Sequence, residues 1–250
     1  MSDIIKRIIT AASSAMLMLS AAGCGTEGVY RTSISKEEQE TDYSSVYAEI
    51  IEFGGFPDRE YQSLLNEQIE DDVEGAIEEF DGEAAQAELP VGVKAALSIK
   101  QNVKRNSSGI ISFVTENYTY LGGAHGITRW LPYTVNVASD APRILELREL
   151  FEDEDGYINT INRMIDELIA EKPEEYTELW AEPHITLEEQ RQFYMTDEDL
   201  VIFFPPYVLS YYAKGFIEFP LRLTELNGYL KEEFRTEAPL SYIDNGQALC

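Results

Sequence analysis

Residues 110–137 read IISFVTENYTYLGGAHGITRWLPYTVNV, and this stretch decides the fold. A glycine-rich break, Gly122 to Gly126, divides two runs in which β-branched and aromatic residues alternate with polar ones. A period of two is typical of a strand with one buried face. The stretch therefore predicts two strands that meet as an antiparallel hairpin or a bulged corner.

The sequence on both sides of this stretch predicts further strands and helices. Helices are predicted over 58–80, 155–172 and 223–234, with residues 174–192 helical in pieces, and strands over 46–53, 93–99, 200–204 and 216–219. The elements show no regular βαβ alternation. They therefore predict an α+β fold, an antiparallel sheet with a few helices packed on one side.

The composition excludes several classes of protein. The 250 residues include 19 Lys and Arg against 46 Asp and Glu, a net charge of −27, so no basic face is available for nucleic acid. A hydrophobic content of 44% argues against general disorder. Two Cys and two His offer neither a disulfide scaffold nor an obvious metal site, and we predict no metal or cofactor.

The amino-terminal residues predict that the protein is exported from the cytoplasm. Lys6 and Arg7 precede an apolar stretch, Ile8 to Ala22, which is too short for a membrane span and is typical of a signal peptide. Gly23 and Cys24 follow this stretch, as in a bacterial lipobox, although Ala21 stands where Leu is favoured. We expect a signal peptide over 1–23, a lipid on Cys24, and membrane contact through that lipid only. An ordinary cleaved signal peptide is the alternative.

The same reasoning predicts the domain organisation. Residues 24–42 are polar, lack an apolar period and are interpreted as a flexible tether. The α+β domain is expected over 43–234, followed by a loose tail over 235–250.

Several motifs together resemble one family. These are Asn66 in the first helix, the block from Tyr118 to Gly126, the Leu145-x-Leu147-x-x-Leu150-Phe151 run, the Leu200–Phe204 strand and the loop from Tyr207 to Gly215. The set is similar to the extracytoplasmic RsiV-like domain family, a domain of unknown function. The domain is found in the anti-sigma factor RsiV, in front of the catalytic domain of a peptidoglycan deacetylase, and alone in many Gram-positive lipoproteins.

The resemblance implies a binding function. In RsiV the module is the receptor for lysozyme, a strongly basic protein that an acidic domain would attract. The chain departs from its relatives because only seven residues precede the apolar stretch and about twenty follow the module. We therefore expect the extracytoplasmic module alone, without an anti-sigma segment or a deacetylase domain.

The candidate binding residues lie in two segments, namely Gly122, Gly123, His125 and Gly126 in the hairpin and Tyr207, Tyr211 and Tyr212 in the loop. His125 either contacts a partner or glycan, or hydrogen-bonds a neighbouring strand while the glycines supply positive φ. The tyrosines, together with Trp130, either form a binding surface or belong to the core.

Other patterns do not predict chemistry. Asp153-x-Asp155-Gly156 lacks the last carboxylate of a calcium loop and is interpreted as a helix N-terminus. No Gly-x-Ser-x-Gly motif is present, and a carboxylate pair cannot be chosen among 46 acids. We expect a binding protein rather than an enzyme. Its partner would be lysozyme or another basic cell-wall-active protein, alternatively peptidoglycan, and an unrecognised hydrolase is the third hypothesis.

Overall fold

The computed structural model describes residues 6–8, 29–186, 188 and 190–236. In these ranges the chain forms β1 Lys6–Ile8, β2 Arg31–Glu40, β3 Ser44–Gly54, α1 Arg59–Ala84, β4 Ala95–Ser107, β5 Ile110–Tyr120, β6 Ile127–Asn136, α2 Tyr157–Glu171, β7 Phe193–Met195, β8 Asp199–Phe204, β9 Ile217–Arg222 and α3 Leu223–Leu226. Short 3-10 helices cover Leu147–Leu150, Tyr212–Lys214 and Glu232–Phe234.

The strands form two sheets. The larger sheet has the order β1-β2-β3-β4-β5-β6, and the smaller has the order β7-β8-β9. All neighbouring strands are antiparallel except β3 and β4, which are parallel because α1 carries the chain back across the sheet. The hairpin predicted over 110–137 is confirmed, with Thr119 opposite Ile127 at its closed end.

The two sheets and the helices pack in layers. Leu65, Ile69 and Phe80 on α1 are buried against one face of the larger sheet. Val114 on the opposite face of β5 packs against Val201 and Phe203 of β8, and the other face of β8 packs on α2. The α+β class is therefore confirmed, and the structure adds that the sheet is divided in two with a helix on each outer side.

Helix α1 follows directly from its sequence. Asp58 caps its N-terminus, because the Asp58 carboxylate accepts a 2.9 Å hydrogen bond from the backbone N–H of Tyr61. Residues at steps of three and four face the sheet, whereas Glu67, Glu70 and Asp71 point to solvent.

Four asparagine side chains in the described residues each bind both the N–H and the C=O of a single residue. Asn66 of α1 accepts from Phe53 N–H and donates to Phe53 C=O, both at 2.9 Å. Asn106, Asn162 and Asn227 do the same with Tyr30, Ile185 and Thr236. Asn66, a motif residue of the family resemblance, therefore joins α1 to β3.

Three expectations need correction. Residues 31–40, interpreted as tether, form β2, which pairs along its whole length with β3. Residues 174–192 contain no helix where the structure describes them; Pro173 and Pro183 flank a stretch in which Glu178 has a positive φ. The last predicted helix is limited to α3, because Leu230 and Phe234 reach the core from separate short turns.

Some predictions fall outside the described residues. Cys24, the predicted lipid site, lies there, as does the predicted tail from residue 237 onward. In the described part of the chain, the search for a helix long and apolar enough to cross a membrane finds none.

Candidate functional site

The glycine block and the tyrosine loop meet at one exposed surface. The His125 ring stacks on the Tyr212 ring, with 3.8 Å between centroids and 16° between planes. Its Nε2 lies 3.1 Å from the Tyr207 hydroxyl. His125 is exposed and Tyr207 is 57% exposed. The two segments that the sequence singled out separately therefore form a single cluster.

The hydrogen bonds define which ring nitrogen of His125 carries the hydrogen in the neutral tautomer. Its Nδ1 lies 2.8 Å from Gly126 C=O, which can only accept, so Nδ1 carries a hydrogen. In the neutral ring Nε2 then accepts from Tyr207. The Tyr212 hydroxyl also donates to Gly126 C=O, at 2.6 Å. His125 thus binds the tyrosine loop rather than a neighbouring strand, and it orients Tyr207 at the surface.

The glycines have three different roles in this hairpin. Gly122 has φ +90, and an added Cβ would lie 2.5 Å from Cδ2 of Leu89. A Cβ on the buried Gly126 would overlap the Tyr118 ring. Gly123 is exposed and has room for a side chain. Positive φ is therefore required at Gly122 and close packing at Gly126.

A third segment, residues 177–180, extends the cluster. The Tyr211 hydroxyl donates to the Glu178 carboxylate at 2.8 Å, and Trp180 Nε1 donates to Val208 C=O at 3.0 Å. Trp180 is 58% exposed. We call the exposed side chains of His125, Trp180, Tyr207, Val208, Tyr211 and the adjoining Tyr212 the aromatic patch.

Two residues at this surface have a strained backbone. Tyr207 has φ 70 and Glu178 has φ 64, a region that bulky side chains rarely adopt. Such strain costs about 1–3 kcal/mol and is found most often at functional sites. The third non-glycine residue with positive φ in the described ranges, Ser108, lies in the tight β4–β5 turn.

A shallow groove adjoins the aromatic patch. It encloses about 330 Å³, and Tyr212, Phe216, Glu116, Thr128 and Lys214 contribute to its walls. Trp130 lies beneath it, stacked on Phe216 at 3.9 Å, and donates from Nε1 to the Glu116 carboxylate at 3.1 Å. Trp130 is therefore a supporting residue of the groove, not an exposed binding residue.

The carboxylates near the patch are engaged. Glu178 accepts from Tyr211 and lies 3.7 Å from Lys214 Nζ, while Glu116 accepts from Trp130. The hydrogen bond to Glu178, followed by burial, raises the pKa of Tyr211. The immediate surface is accordingly aromatic, and the dense acidic surface lies on α1.

The structure brings together most of the predicted site residues. Gly122, Gly126, His125, Tyr207, Tyr211 and Tyr212 belong to the cluster or its scaffold, and Gly123 lies beside His125. Sequence reasoning missed Trp180 and Glu178. The sequence signal that could have identified this segment was an isolated Trp among many Glu and Pro residues.

The remaining patterns have structural roles. Asp153 accepts from the N–H groups of Asp155 and Gly156 just before α2, as expected of a helix N-terminus. Across the described residues, no group of three His, Cys, Asp or Glu side chains is placed to hold a metal ion.

Comparisons with known proteins agree with this architecture. Residues 37–128 match the family model described as Deacetylase PdaC, and residues 148–224 match the model described as a protein of unknown function, DUF3298. The search of curated proteins finds no match.

Two crystal structures of DUF3298 family proteins share the fold. One, from Bacteroides fragilis, is 15% identical with a TM-score of 0.62, and the match covers 84% of this chain and 96% of that one. The other, from Pseudomonas aeruginosa, is 14% identical with a TM-score of 0.59, and the match covers 86% of this chain and 100% of that one.

Together the matched segments and the fold define an α+β protein with a PdaC-like first part and a DUF3298 second part. The hairpin loop with His125 lies at the end of the first part, and the tyrosine loop lies in the second. These two matches and the shared fold fit the RsiV-like extracytoplasmic domain family that the motifs of the chain resemble.

Proposed function

We propose that this chain is a lipid-anchored extracytoplasmic binding protein whose aromatic patch captures a protein that acts on the cell wall, with lysozyme as the first candidate. The stacking of His125 on Tyr212, with Tyr207 held at the surface, carries the proposal. Large exposed aromatic side chains on a fixed scaffold are the usual centres of protein interfaces.

The charge favours a basic partner. A net charge of −27 attracts a cationic protein over a distance set by the ionic strength. At contact, the exposed faces of Tyr207 and Trp180 offer cation–π acceptors to Lys or Arg. Long-range attraction and short-range recognition thus involve different parts of the molecule, which a salt series separates.

A binding titration with a basic lysozyme tests the proposal. We expect micromolar or tighter affinity, weakened but not abolished when salt rises from about 0.15 to 0.5 M. Tyr207→Ser is expected to weaken binding at least about tenfold, as for a central interface residue. Tyr43→Ser is the matched control, because Tyr43 is 44% exposed in the turn between β2 and β3.

No binding at micromolar protein would reject lysozyme as the partner. Equal weakening by the Tyr43 and Tyr207 substitutions would reject the aromatic patch as the contact surface.

The groove favours a second candidate function, binding of a cell-wall glycan. Aromatic rings beside polar groups, here Tyr212 and Phe216 with Thr128 and Glu116, suit a sugar with apolar faces and hydroxyl edges. Retention on purified peptidoglycan that survives about 1 M salt would support the glycan, because an electrostatic protein contact is screened there.

The proposal includes two further expectations, a lipid anchor on Cys24 and a lack of catalytic activity. Cys24→Ala is expected to move the chain from the membrane fraction to the soluble extracytoplasmic fraction and to abolish labelling by a fatty acid. The PdaC description belongs to the matched family model. For this chain we expect no acetate release from acetylated cell-wall oligosaccharides.

A further inference from the structure

Strand β6 ends the larger sheet, and part of its outer edge is open. Leu145 N–H donates to Thr134 C=O at 2.8 Å from outside the β5–β6 pair, so the backbone groups of Thr134 face away from β5. The β5–β6 register is regular, and directions alternate along a strand. The backbone groups of Thr128 and Trp130 therefore face outward as well, whereas Pro132, next in this alternation, is buried and has no N–H.

The outward groups between the two ends of this edge have no partner among the residues that the structure describes. Tyr212 covers Gly126 C=O at one end, and Leu145 covers Thr134 at the other. Across the described part of the chain, no hydrogen bond engages the backbone N–H or C=O of Thr128 or Trp130. The open stretch from Thr128 to Leu131, about four residues, offers roughly 13 Å of unpaired edge.

The exposed side chains along this stretch have a distinct pattern. Ile127 is 52% exposed and Leu131 is 37% exposed, and exposed Arg129 lies between them on the same face. Among the described residues, Arg129 has no carboxylate within ion-pair distance, in a chain with 46 acidic residues. The strip therefore combines two apolar positions with one free positive charge.

A second copy of the chain is a poor occupant. If two copies of β6 paired antiparallel about Arg129, Ile127 would meet Leu131, but Arg129 would face Arg129. Like charges directly opposite destabilise a strand pair. The net charge of −27 on each copy adds further repulsion. Charges of this kind on edge strands prevent self-pairing.

We propose that the β6 edge binds an extended segment of a partner protein by strand addition. The segment carries Asp or Glu opposite Arg129 and an apolar residue two positions away on either side. Its backbone completes the hydrogen bonds of Thr128 and Trp130, and its carboxylate pairs with the Arg129 guanidinium. The edge adjoins the aromatic patch, since Thr128 lines the groove beside Tyr212, but the contact that defines it is the pair made by Arg129.

A peptide with a palindromic sequence tests the proposal in either strand direction. The probe is acetyl-Thr-Val-Thr-Glu-Thr-Val-Thr-amide, and the comparison peptide has Lys in place of Glu. We expect the Glu peptide to bind the full chain at least about tenfold more tightly, and the Arg129→Glu variant to prefer the Lys peptide. Arg59→Glu, another exposed cation, is the control and should leave the preference unchanged.

Amide NMR shifts locate the contact. Binding is expected to shift the Thr128 and Trp130 amides, and N-methylation of the facing peptide amides is expected to abolish it. Absence of binding up to about 1 mM peptide, shifts confined to other elements, or an unchanged preference in Arg129→Glu would each overturn the proposal. Dimerisation of the chain through β6 in sedimentation would overturn it too, because the edge would then take a second copy.

Discussion

Gly122 holds the hairpin loop in the shape that places His125 under the tyrosine loop. Its φ of +90 is strained for a residue other than glycine, and an added Cβ would have to displace the Leu89 side chain. Gly122→Ala is therefore expected to lower the free energy of unfolding by roughly 1–3 kcal/mol, measured by urea denaturation.

Gly123→Ala is the matched control in the same loop. Its added Cβ would meet no atom closer than 3.6 Å, and we expect a change below about 0.5 kcal/mol. Equal effects of the two substitutions would show that the loop does not require the Gly122 conformation.

Asn66 is the second residue whose role can be tested alone. Asn66→Ala leaves the N–H and C=O of buried Phe53 without their partner. An unpaired buried polar group costs about 1–3 kcal/mol, so we expect a loss of that order in the same urea measurement. Asn102→Ala, on an exposed position of β4, should have little effect, and a similar loss there would contradict the assignment.

At the residue scale, the sequence predicted which residues belong to the candidate site, but it did not predict the contacts between them. Chemical type and glycine spacing pointed to His125, Tyr207, Tyr211 and Tyr212. The contact between His125 and Tyr207 joins residues 82 positions apart, which no local pattern encodes. Trp180 was missed because it joins the patch through backbone bonds of residues 208 and 209.

At the scale of elements, α1 is the most strongly specified. Asp58→Ala removes its N-cap and is expected to cost about 1 kcal/mol of stability. Asp71→Ala, on the exposed face of the same helix, is the control for lost negative charge and should not destabilise the chain. Circular dichroism during thermal unfolding measures both, and an equal loss would contradict the capping role.

Elements with extensive burial were predictable, and others were not. The apolar period of α1, the pattern of the β5–β6 hairpin and the continuous apolar run of β8, which is buried on both faces, were sufficient because burial imposes them. β2 was missed because nearly all its residues are exposed and its pairing with β3 depends on backbone bonds. β9 continues through Pro220, which the sequence predicted as its end, because it is an edge strand that needs no donor there.

At the scale of the whole molecule, two half-buried tyrosines predict loss of stability at alkaline pH. Burial raises the pKa of Tyr61 and of Tyr176 to about 12. Because the folded state binds these protons more tightly than the unfolded state, their contribution to stability is complete below about pH 10 and is lost towards pH 12.

Urea midpoints at pH 9, 10 and 11, recorded with tyrosinate absorbance, test this prediction. Tyr176→Phe should reduce the loss of stability between pH 10 and 11, and Tyr43→Phe should not, since Tyr43 is exposed. A flat profile would show that these phenols ionise equally in both states.

At this scale, the carboxylates that produce the net charge fall into two groups. Most carboxylates, including the outer face of α1, are solvent-exposed, whereas the aromatic patch has only engaged carboxylates beside it. Under the proposed function, steering of a basic partner therefore belongs to the whole molecule and recognition to the patch.

Hydrogen–deuterium exchange of the chain with and without lysozyme tests the central claim most directly. The account predicts slower exchange in residues 121–127, 177–181 and 205–215, the three segments that form the aromatic patch. Slower exchange confined to α1, or unchanged exchange at saturating lysozyme, would contradict it.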